Sequence, residues 1–402
     1  MNEVRKLPPV WVMGMTNATF GLFAGFSVIT LAEMLSAQGI PGGRIAAIVA
    51  AVLSPGFSAF LLAPVLDVRF SRRTYALVFS VLAAAALAVT VSHRTNVALI
   101  EGVMVAGYVA ASLVQGAVGG WMGSLVRTAD DSKLGAWFAV SNLGGGGLMI
   151  LLAGEAVGHL RPAVAGMLLA GVMMLPSLLY FFIPAPGPDR RLASESFSRF
   201  FGEILTLVRR REVLIALMLF VLPSASFTLT NVLGGVGKDF SAPERLVSLV
   251  GGFGAVMAGI AGSLLMPQLA KKLALRPLYL AIGIVGGLFT LSLLLLPHVP
   301  WVFAVALTGE NLFQALAFAA GNAITFETIG RDNPLAATQF SLLIAATNLP
   351  IIYMGFVDGR AYTSGGISAS LMVDAGISIA ICALLYGVLR SLRVRSETLV
   401  RS

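Results

Sequence analysis

The sequence is poor in charged residues and almost free of cysteine. Only 11% of its 402 residues are Asp, Glu, Lys or Arg, whereas a water-soluble domain carries about 25%. The single cysteine, Cys382, excludes both a disulfide framework and a cluster of thiolate metal ligands. The sequence also lacks a glycine-rich loop ending in Lys-Ser or Lys-Thr, so it has no Walker-type site for ATP phosphates. The composition therefore argues against a soluble enzyme and against ATP as an energy source.

Apolar residues are abundant instead. They make up 57% of the chain, and the mean hydropathy is +0.89. A bilayer crossing needs about 20 mostly apolar residues, so the length and the apolar runs predict twelve transmembrane helices. We expect them at 10–37, 44–66, 74–92, 97–125, 134–158, 161–184, 213–236, 243–269, 275–296, 300–328, 336–358 and 366–390. The first run is too long for the apolar part of a cleavable signal peptide, so we expect it to remain in the mature protein.

The distribution of positive charge predicts the orientation. The net charge is +8, and 21 of the 27 Lys and Arg residues fall on the side of the predicted helices that holds both termini. Cationic loops stay in the cytoplasm, so we expect a multi-pass protein of the bacterial inner membrane with both termini cytoplasmic. The basic residues form short runs between apolar segments and no basic soluble face, so nucleic acid is not an expected partner.

The helices divide into two sets of six. The interval 185–211, rich in Pro, Arg and Ser, separates a predicted bundle at 1–184 from one at 212–402. Within this linker the apolar spacing over 195–208 predicts an amphipathic helix on the cytoplasmic face. The fold class expected is thus all-α, an integral membrane protein with two pseudo-symmetric six-helix bundles. This arrangement resembles the plan of major facilitator transporters, which implies two halves that rock about a site near the midplane.

A deep acid is the leading functional candidate. Glu310 lies about ten residues into its predicted helix, which places it roughly 15 Å deep and near the bilayer centre. Ionisable groups in hydrocarbon are costly and usually functional. We predict that Glu310 takes up and releases a proton or binds the substrate; the alternative is a structural acid hydrogen-bonded to a neighbouring helix. The remaining acids of the outer half are expected nearer the helix ends and in contact with water: Glu33, Glu101, Glu155, Asp358 and Asp374.

Several uncharged polar residues also fall at membrane depth. Three share the helical face of Glu310, within about 120° of it, and four lie on other helices. Each is a candidate ligand for a sizeable polar solute, although each alone is often a hydrogen bond between helices. They are Asn311, Gln314 and Asn322, together with Asn17, Gln115, Asn142 and Asn348. No cofactor and no metal ion is expected.

The end of helix 2 carries an acid followed by two basic residues. Asp67, Arg72 and Arg73 lie at its predicted cytoplasmic end, where an acid and a base can bridge to a neighbouring helix and hold one conformation. We favour such a gating salt bridge over a simple positively charged flank.

Three segments resemble a branch of the major facilitator superfamily. They are Phe-Leu-Leu-Ala-Pro-Val-Leu-Asp at 60–67, Glu-Asn-Leu at 310–312 with the small residues of 315–320, and Ala-Thr-Gln-Phe-Ser-Leu-Leu at 337–343, which contains Thr338 and Gln339. They are similar to the AmpG-like branch, which includes muropeptide permeases, acetyl-CoA transporters and siderophore permeases. The resemblance implies proton-driven import of a large polar cargo into the cytoplasm. We favour a muropeptide-like solute as this cargo and expect the protein to be a monomer in the bilayer.

Other functions remain open. A siderophore permease of the same fold is the nearest alternative, and a lipid or acyl-conjugate flippase is another. A membrane-embedded enzyme is less favoured because no His-Glu-x-x-His or similar cluster occurs. A sensor would be expected to carry a substantial soluble domain, and the longest predicted loop has only about 25 residues.

Overall fold

The structure is a computed structural model that describes residues 7–184, 202, 205–225, 227–233, 235–331 and 333–401, without the side chains of Asn231 and of residues 392–401. Within these ranges all regular secondary structure is helical. The linker helix predicted over 195–208 lies almost wholly outside the described residues, of which 205–208 are helical.

Six helices form the first half of the chain. They are α1 Val10–Ser36, α2 Gly42–Leu61, α3 Arg72–Ser92, α4 Val97–Leu125, α5 Thr128–His159 and α6 Pro162–Phe181. Helix α1 is interrupted by a turn at Thr16 and Asn17 and contains one π-helical turn at Phe26–Thr30. Helix α2 ends earlier than predicted, because its α-helical part gives way to two 3₁₀ turns, the second at Ala63–Asp67.

The second half contains one broken helix and one sharp break between two helices. Helix α7 consists of Arg211–Val221 and Leu229–Leu233, and it is followed by α8 Glu244–Leu269, α9 Leu275–Leu293 and α10 Pro300–Ile329. The helical stretch Ala336–Arg401 is divided by Gly365 and Gly366 into α11 (336–364) and α12 (367–401). Gly366 has φ 68°, a left-handed conformation that glycine adopts without the steric penalty of a Cβ.

The helices are long and apolar enough for a membrane. Ten described helical stretches meet this standard, with α11 and α12 counted as one and the broken α7 not counted. Large apolar side chains face outward, among them Leu151 at 70% exposure and Leu295 at 86%, as expected for a surface in contact with lipid. The prediction of an all-α, multi-pass membrane protein with twelve helices is confirmed.

The chain packs into two compact units. The first comprises Met1–Val213 with Thr325–Ala345, and the second comprises Leu214–Ile324 with Ala346–Ser402. The division near residue 213 falls where the sequence places the end of the linker. The end of α10 and the start of α11, however, pack with the helices of the first half. The contacts responsible for this are described below.

Glycines bring α1 and α5 together in the first unit. A Cβ on Gly21 would clash with the backbone of Asn142, and a Cβ on Gly25 would clash with the backbone of Gly146. The absence of side chains at these positions lets the two backbones touch. In the second unit the apolar core around Phe240 and Phe303 joins α7, α10 and the start of α12, where Ile367 and Leu371 lie.

Candidate functional site

Glu310 is completely buried in the second unit. Its side chain has 0% exposure, and Gly309 beside it lets the Phe289 ring of α9 come directly against α10. At this close approach Thr290 of α9 donates a hydrogen bond from Oγ1 to Glu310 Oε1, at 2.5 Å. The other carboxyl oxygen, Oε2, has no partner.

The hydroxyl of Thr290 can serve either protonation state of Glu310. Its Oγ1 also lies 3.0 Å from the backbone oxygen of Gly286, and a hydroxyl has only one hydrogen to donate. When Glu310 is ionised, that hydrogen bonds the carboxylate. When Glu310 is protonated, the acid can donate to Oγ1 while the hydroxyl turns to Gly286. Proton uptake and release therefore require no movement of heavy atoms at this contact.

Two further acids are buried near Glu310. Asp358 of α11 has 0% exposure and Asp374 of α12 has 4%, and both interact electrostatically with Glu310. The expectation that these two acids contact water, and that Glu310 alone is deep, is wrong. Helix α11 continues past its predicted end at residue 358 to the glycine break, so Asp358 lies about two turns inside its helix. Asp374 lies about two turns inside α12, where the structure buries it. Glu33 and Glu155 are exposed, as predicted, and Glu101 is half-buried.

The aspartate pair lacks hydrogen-bond partners. Both carboxyl oxygens of Asp358 and Oδ1 of Asp374 have none. Among the described residues, the ion pairs that form involve other acids. Ser370 of α12 donates from Oγ to the backbone oxygen of Asp358 at 2.7 Å, a bond that joins α11 to α12 beside the pair.

Two of the amide side chains on the helical face of Glu310, those of Asn311 and Gln314, form hydrogen bonds within the protein. Gln314 donates from Nε2 to the backbone oxygen of Phe227, at 3.2 Å, and to Oγ1 of Thr230, at 2.9 Å. These acceptors lie at the break in α7, where Phe227 has φ 46°. Asn311 bonds the oxygen of Leu307 in its own helix at 2.8 Å. Asn322 and Asn348, also in this unit, are half-buried.

The polar candidates of the first half belong to the first unit. Asn17, at the interruption of α1, is 1% exposed; it donates to the oxygen of Phe138 at 3.4 Å, and its own Oδ1 has no partner. Gln115 and Asn142 are half-buried. Among the first-half candidates Asn17 thus retains a free, buried acceptor that a solute could use.

Asp67 caps the start of α11. Its Oδ1 accepts from the backbone N–H of Ala337 at 3.1 Å, and its Oδ2 accepts from the backbone N–H and the hydroxyl of Thr338 at 2.8 and 2.7 Å. The first N–H groups of a helix have no partner within the helix, and a carboxylate there is stabilised by the helix dipole. Asp67, in the second 3₁₀ turn after α2, therefore contacts the start of α11, which is distant in sequence.

Arg72 completes this contact, whereas Arg73 does not join it. Arg72 forms a buried ion pair with Asp67 at 2.8 Å and donates to the backbone oxygens of Asn333 and Pro334, both at 3.0 Å. Arg73 lies over the ring of Phe181, 4.6 Å from its centre.

Gln339 holds the loop before α11 in place. It donates to the oxygen of Thr328 at 3.0 Å and accepts from Asn333 Nδ2 at 2.7 Å. We call the five residues Asp67, Arg72, Asn333, Thr338 and Gln339 the latch. Of these, the sequence interpretation missed only Asn333, whose position between Arg331 and Pro334 in a short polar loop is its one visible signal.

Aromatic rings pack beside the latch. Phe326 of α10 stacks on Phe340 of α11 at 5.6 Å, and both meet the edge of Phe138 from α5, at 5.0 and 5.9 Å. A Cβ on Gly120 of α4 would clash with the backbone of Ala337. The start of α11 is thus held by α4 and α5 through packing and by the latch through hydrogen bonds.

Comparison with known proteins defines the fold. No protein-family model matches the sequence, and no curated protein matches it significantly. Among solved structures, the proton:xylose symporter XylE bound to 6-bromo-6-deoxy-D-glucose aligns over 94% of this chain and 95% of its own, with a TM-score of 0.71 at 12% identity. The chain has the major facilitator fold.

Two more structures with this fold align equally fully. The fucose:proton symporter FucP of E. coli covers 93% of this chain and 97% of its own, with a TM-score of 0.67 at 14% identity. The human organic anion transporter MFSD10 covers 94% and 98%, with a TM-score of 0.67 at 16% identity. At such low identities the likeness is one of fold, and the resemblance to the AmpG-like branch stays a prediction.

Proposed function

We propose that this protein is a secondary transporter that moves a polar solute by alternating access and couples transport to protons through Glu310. The observation that carries the proposal is the complete burial of Glu310 beside a hydroxyl that can serve both its protonated and its ionised state. Among proteins with the same fold, XylE and FucP are proton symporters. A buried acid that changes its charge during the cycle is a physical basis for such coupling.

The latch is the proposed gate. On the predicted orientation it lies at the cytoplasmic face, where the end of α2 meets the start of α11. Its hydrogen bonds and ion pair must break if that face is to open, and re-form when it closes. Arg72, Asp67 and Thr338 are the proposed gating residues, and Arg73 stabilises the neighbouring surface instead.

The proposed cargo is a sizeable polar solute imported into the cytoplasm of a bacterium. The resemblance of three segments to AmpG-like permeases favours a muropeptide-like molecule, and a ferric siderophore is the main alternative. Asn17, with its free acceptor, is the proposed solute ligand in the first unit, and Asn322 and Asn348 are the proposed ligands in the second. The protein is proposed to act as a monomer in the inner membrane.

Reconstituted transport tests this function. Purified protein in liposomes is given an inward proton gradient and labelled anhydro-muropeptides, ferric siderophores or a fluorescent lipid in separate assays. Glu310→Gln should abolish accumulation of the transported cargo against its gradient while still allowing exchange of internal for external cargo. Glu244→Gln, at an exposed acid in the same unit, is the matched control and should behave as wild type.

The outcomes separate the parts of the proposal. Accumulation by Glu310→Gln at the wild-type level would contradict coupling through Glu310. Movement of the lipid alone would favour a flippase, and uptake of ferric siderophores alone would replace the muropeptide-like cargo. Failure of every cargo to move in either direction would contradict a transporter of these solutes.

A further inference from the structure

A hydrogen bond between the carboxyl groups of Asp358 and Asp374 would require a proton. Ser370 of α12 bonds the backbone oxygen of Asp358 at 2.7 Å, and Asp374 lies one turn further along the same face of α12, so the carboxyl groups of Asp358 and Asp374 are close enough to interact with each other. Two ionised carboxylates offer acceptors only, so a bond between them requires that one carries a proton. With both groups ionised, three of their four oxygens have no partner.

Double ionisation of this pair would be costly. Two like charges would lie side by side in a site shielded from water, and each would also face the charge of Glu310 from α10. Thr290 of α9, which donates a hydrogen bond to Glu310, is uncharged. No ion pair to a Lys, Arg or His compensates any of the three acids among the described residues. One proton held between the aspartates removes one negative charge and forms a hydrogen bond between an oxygen of Asp358 and an oxygen of Asp374.

The helix break fixes the pair in place. Asp358 and Asp374 approach each other from α11 and α12, on either side of Gly366, and the bond from Ser370 to the backbone oxygen of Asp358 holds the two helices in register. The described acids, histidines and cysteine form no group of three suited to a metal ion. A shared proton supplies the hydrogen that a bond between the two carboxyl groups needs.

We propose that Asp358 and Asp374 form a second proton-binding site, in which the two carboxyl groups share one proton and whose loading is coupled to that of Glu310. The inference deepens the proposed function and rests on it for its role in transport. On release, the O–H bond within the pair breaks and the proton passes to water or to the Glu310 carboxylate, where a new O–H bond forms. No oxidant or reductant is involved.

Infrared titration of the protein tests this site without any cargo. Wild-type protein in liposomes is compared at a series of pH values with Asp358→Asn, Asp374→Asn, Glu310→Gln and the control Asp239→Asn, an exposed acid of the same unit. Each variant of the pair should lose the same single carbonyl band of a protonated acid, because the asparagine N–H replaces the shared proton. Glu310→Gln should change the midpoint of that band by about one pH unit, and Asp239→Asn should leave it unchanged.

Three results would overturn the proposal. The first is a separate carbonyl band for each aspartate, each lost in only one of the two variants. The second is the absence of any carbonyl band that depends on the pair. The third is a pH midpoint of the band that stays the same in Glu310→Gln. If a single variant does not fold, the double variant Asp358→Asn/Asp374→Asn replaces it, because its two amides can bond each other. This double variant must lack the carbonyl band that wild-type protein shows. Because the titration uses neither cargo nor gradient, its failure leaves the transport test of Glu310 intact, and failure of transport leaves the titration interpretable.

Discussion

At the residue scale, the candidate site consists of buried acids and the few hydrogen-bond donors beside them. The deep position of Glu310 could be predicted from the sequence, because the number of residues along an apolar helix gives the depth of a side chain in the membrane. Its partner Thr290 could not be predicted, since nothing in the sequence fixes how α9 and α10 rotate against each other. Asp358 was misplaced because a loop was predicted at 359–365, where the structure continues α11 and turns only at Gly366. The burial of Asp374 depends on how α12 packs against its neighbours, which the sequence does not fix.

Removal of the Thr290 hydroxyl should weaken coupling. Thr290→Val keeps the shape of the side chain but takes away the hydrogen that bonds ionised Glu310. Since a hydrogen bond to a charged group contributes about 1.5–3 kcal/mol, we expect proton-driven accumulation to fall by about tenfold or more, as measured in proteoliposomes. Thr308→Val is the control, because Thr308 bonds the backbone of its own helix. Equal transport by the two variants would show that Thr290 plays no part.

At the scale of elements, distant parts of the chain cap and brace broken helices. The apolar periods predicted which segments are helices, but they could not show that Asp67 caps α11, because its partners include backbone N–H groups that carry no sequence signal. The same holds for Gln314, which shares a face with Glu310 yet bonds the broken backbone of α7. A polar residue at membrane depth can thus be a brace, and only the contacts distinguish a brace from a ligand.

Loss of the charge on Asp67 should destabilise the fold. Asp67→Asn leaves Arg72 buried without a counterion and weakens the cap of α11. Breaking a buried ion pair on one side costs about 3 kcal/mol or more, and we expect the free energy of unfolding in detergent to fall by about that amount. Arg73→Gln, outside the latch, loses the contact with the ring of Phe181 and should change the free energy of unfolding by less than about 1 kcal/mol. An Asp67→Asn protein as stable as wild type would contradict the described latch.

Replacement of Gln314 should lower the stability of the protein and leave its affinity for cargo nearly unchanged. Gln314→Met preserves length and volume but removes both hydrogen bonds to the break in α7. Leaving a buried acceptor unpaired costs about 1–3 kcal/mol, so unfolding in detergent should occur at lower temperature while cargo affinity at low temperature stays near wild type. A large loss of affinity in a fully stable variant would instead make Gln314 a solute ligand.

At the scale of the whole molecule, composition predicted the membrane class and the number of helices, because long apolar stretches leave few alternatives. The two predicted bundles, 1–184 and 212–402, follow the halves of the chain. The end of α10 and the start of α11 join the first unit through the latch and the Phe138, Phe326 and Phe340 rings. The proposed gating role requires that these contacts break and re-form during transport.

The predicted orientation can be tested with two matched cysteines. In a Cys382→Ser background, which keeps a hydrogen-bond donor to the oxygen of Ser224, Lys238→Cys and Lys271→Cys each replace an exposed lysine. The charge distribution predicts that a membrane-impermeant maleimide labels position 238 from outside intact cells and position 271 only after the membrane is opened. The reverse pattern would overturn the cytoplasmic placement of the termini.

The most direct test of the account is the proton that accompanies the cargo. Liposomes that contain the protein and a pH-sensitive dye are given a cargo gradient but no proton gradient. Wild-type protein should acidify the interior as cargo enters, whereas Glu310→Gln should admit cargo down its gradient without acidification. Equal acidification by both proteins would contradict coupling through Glu310.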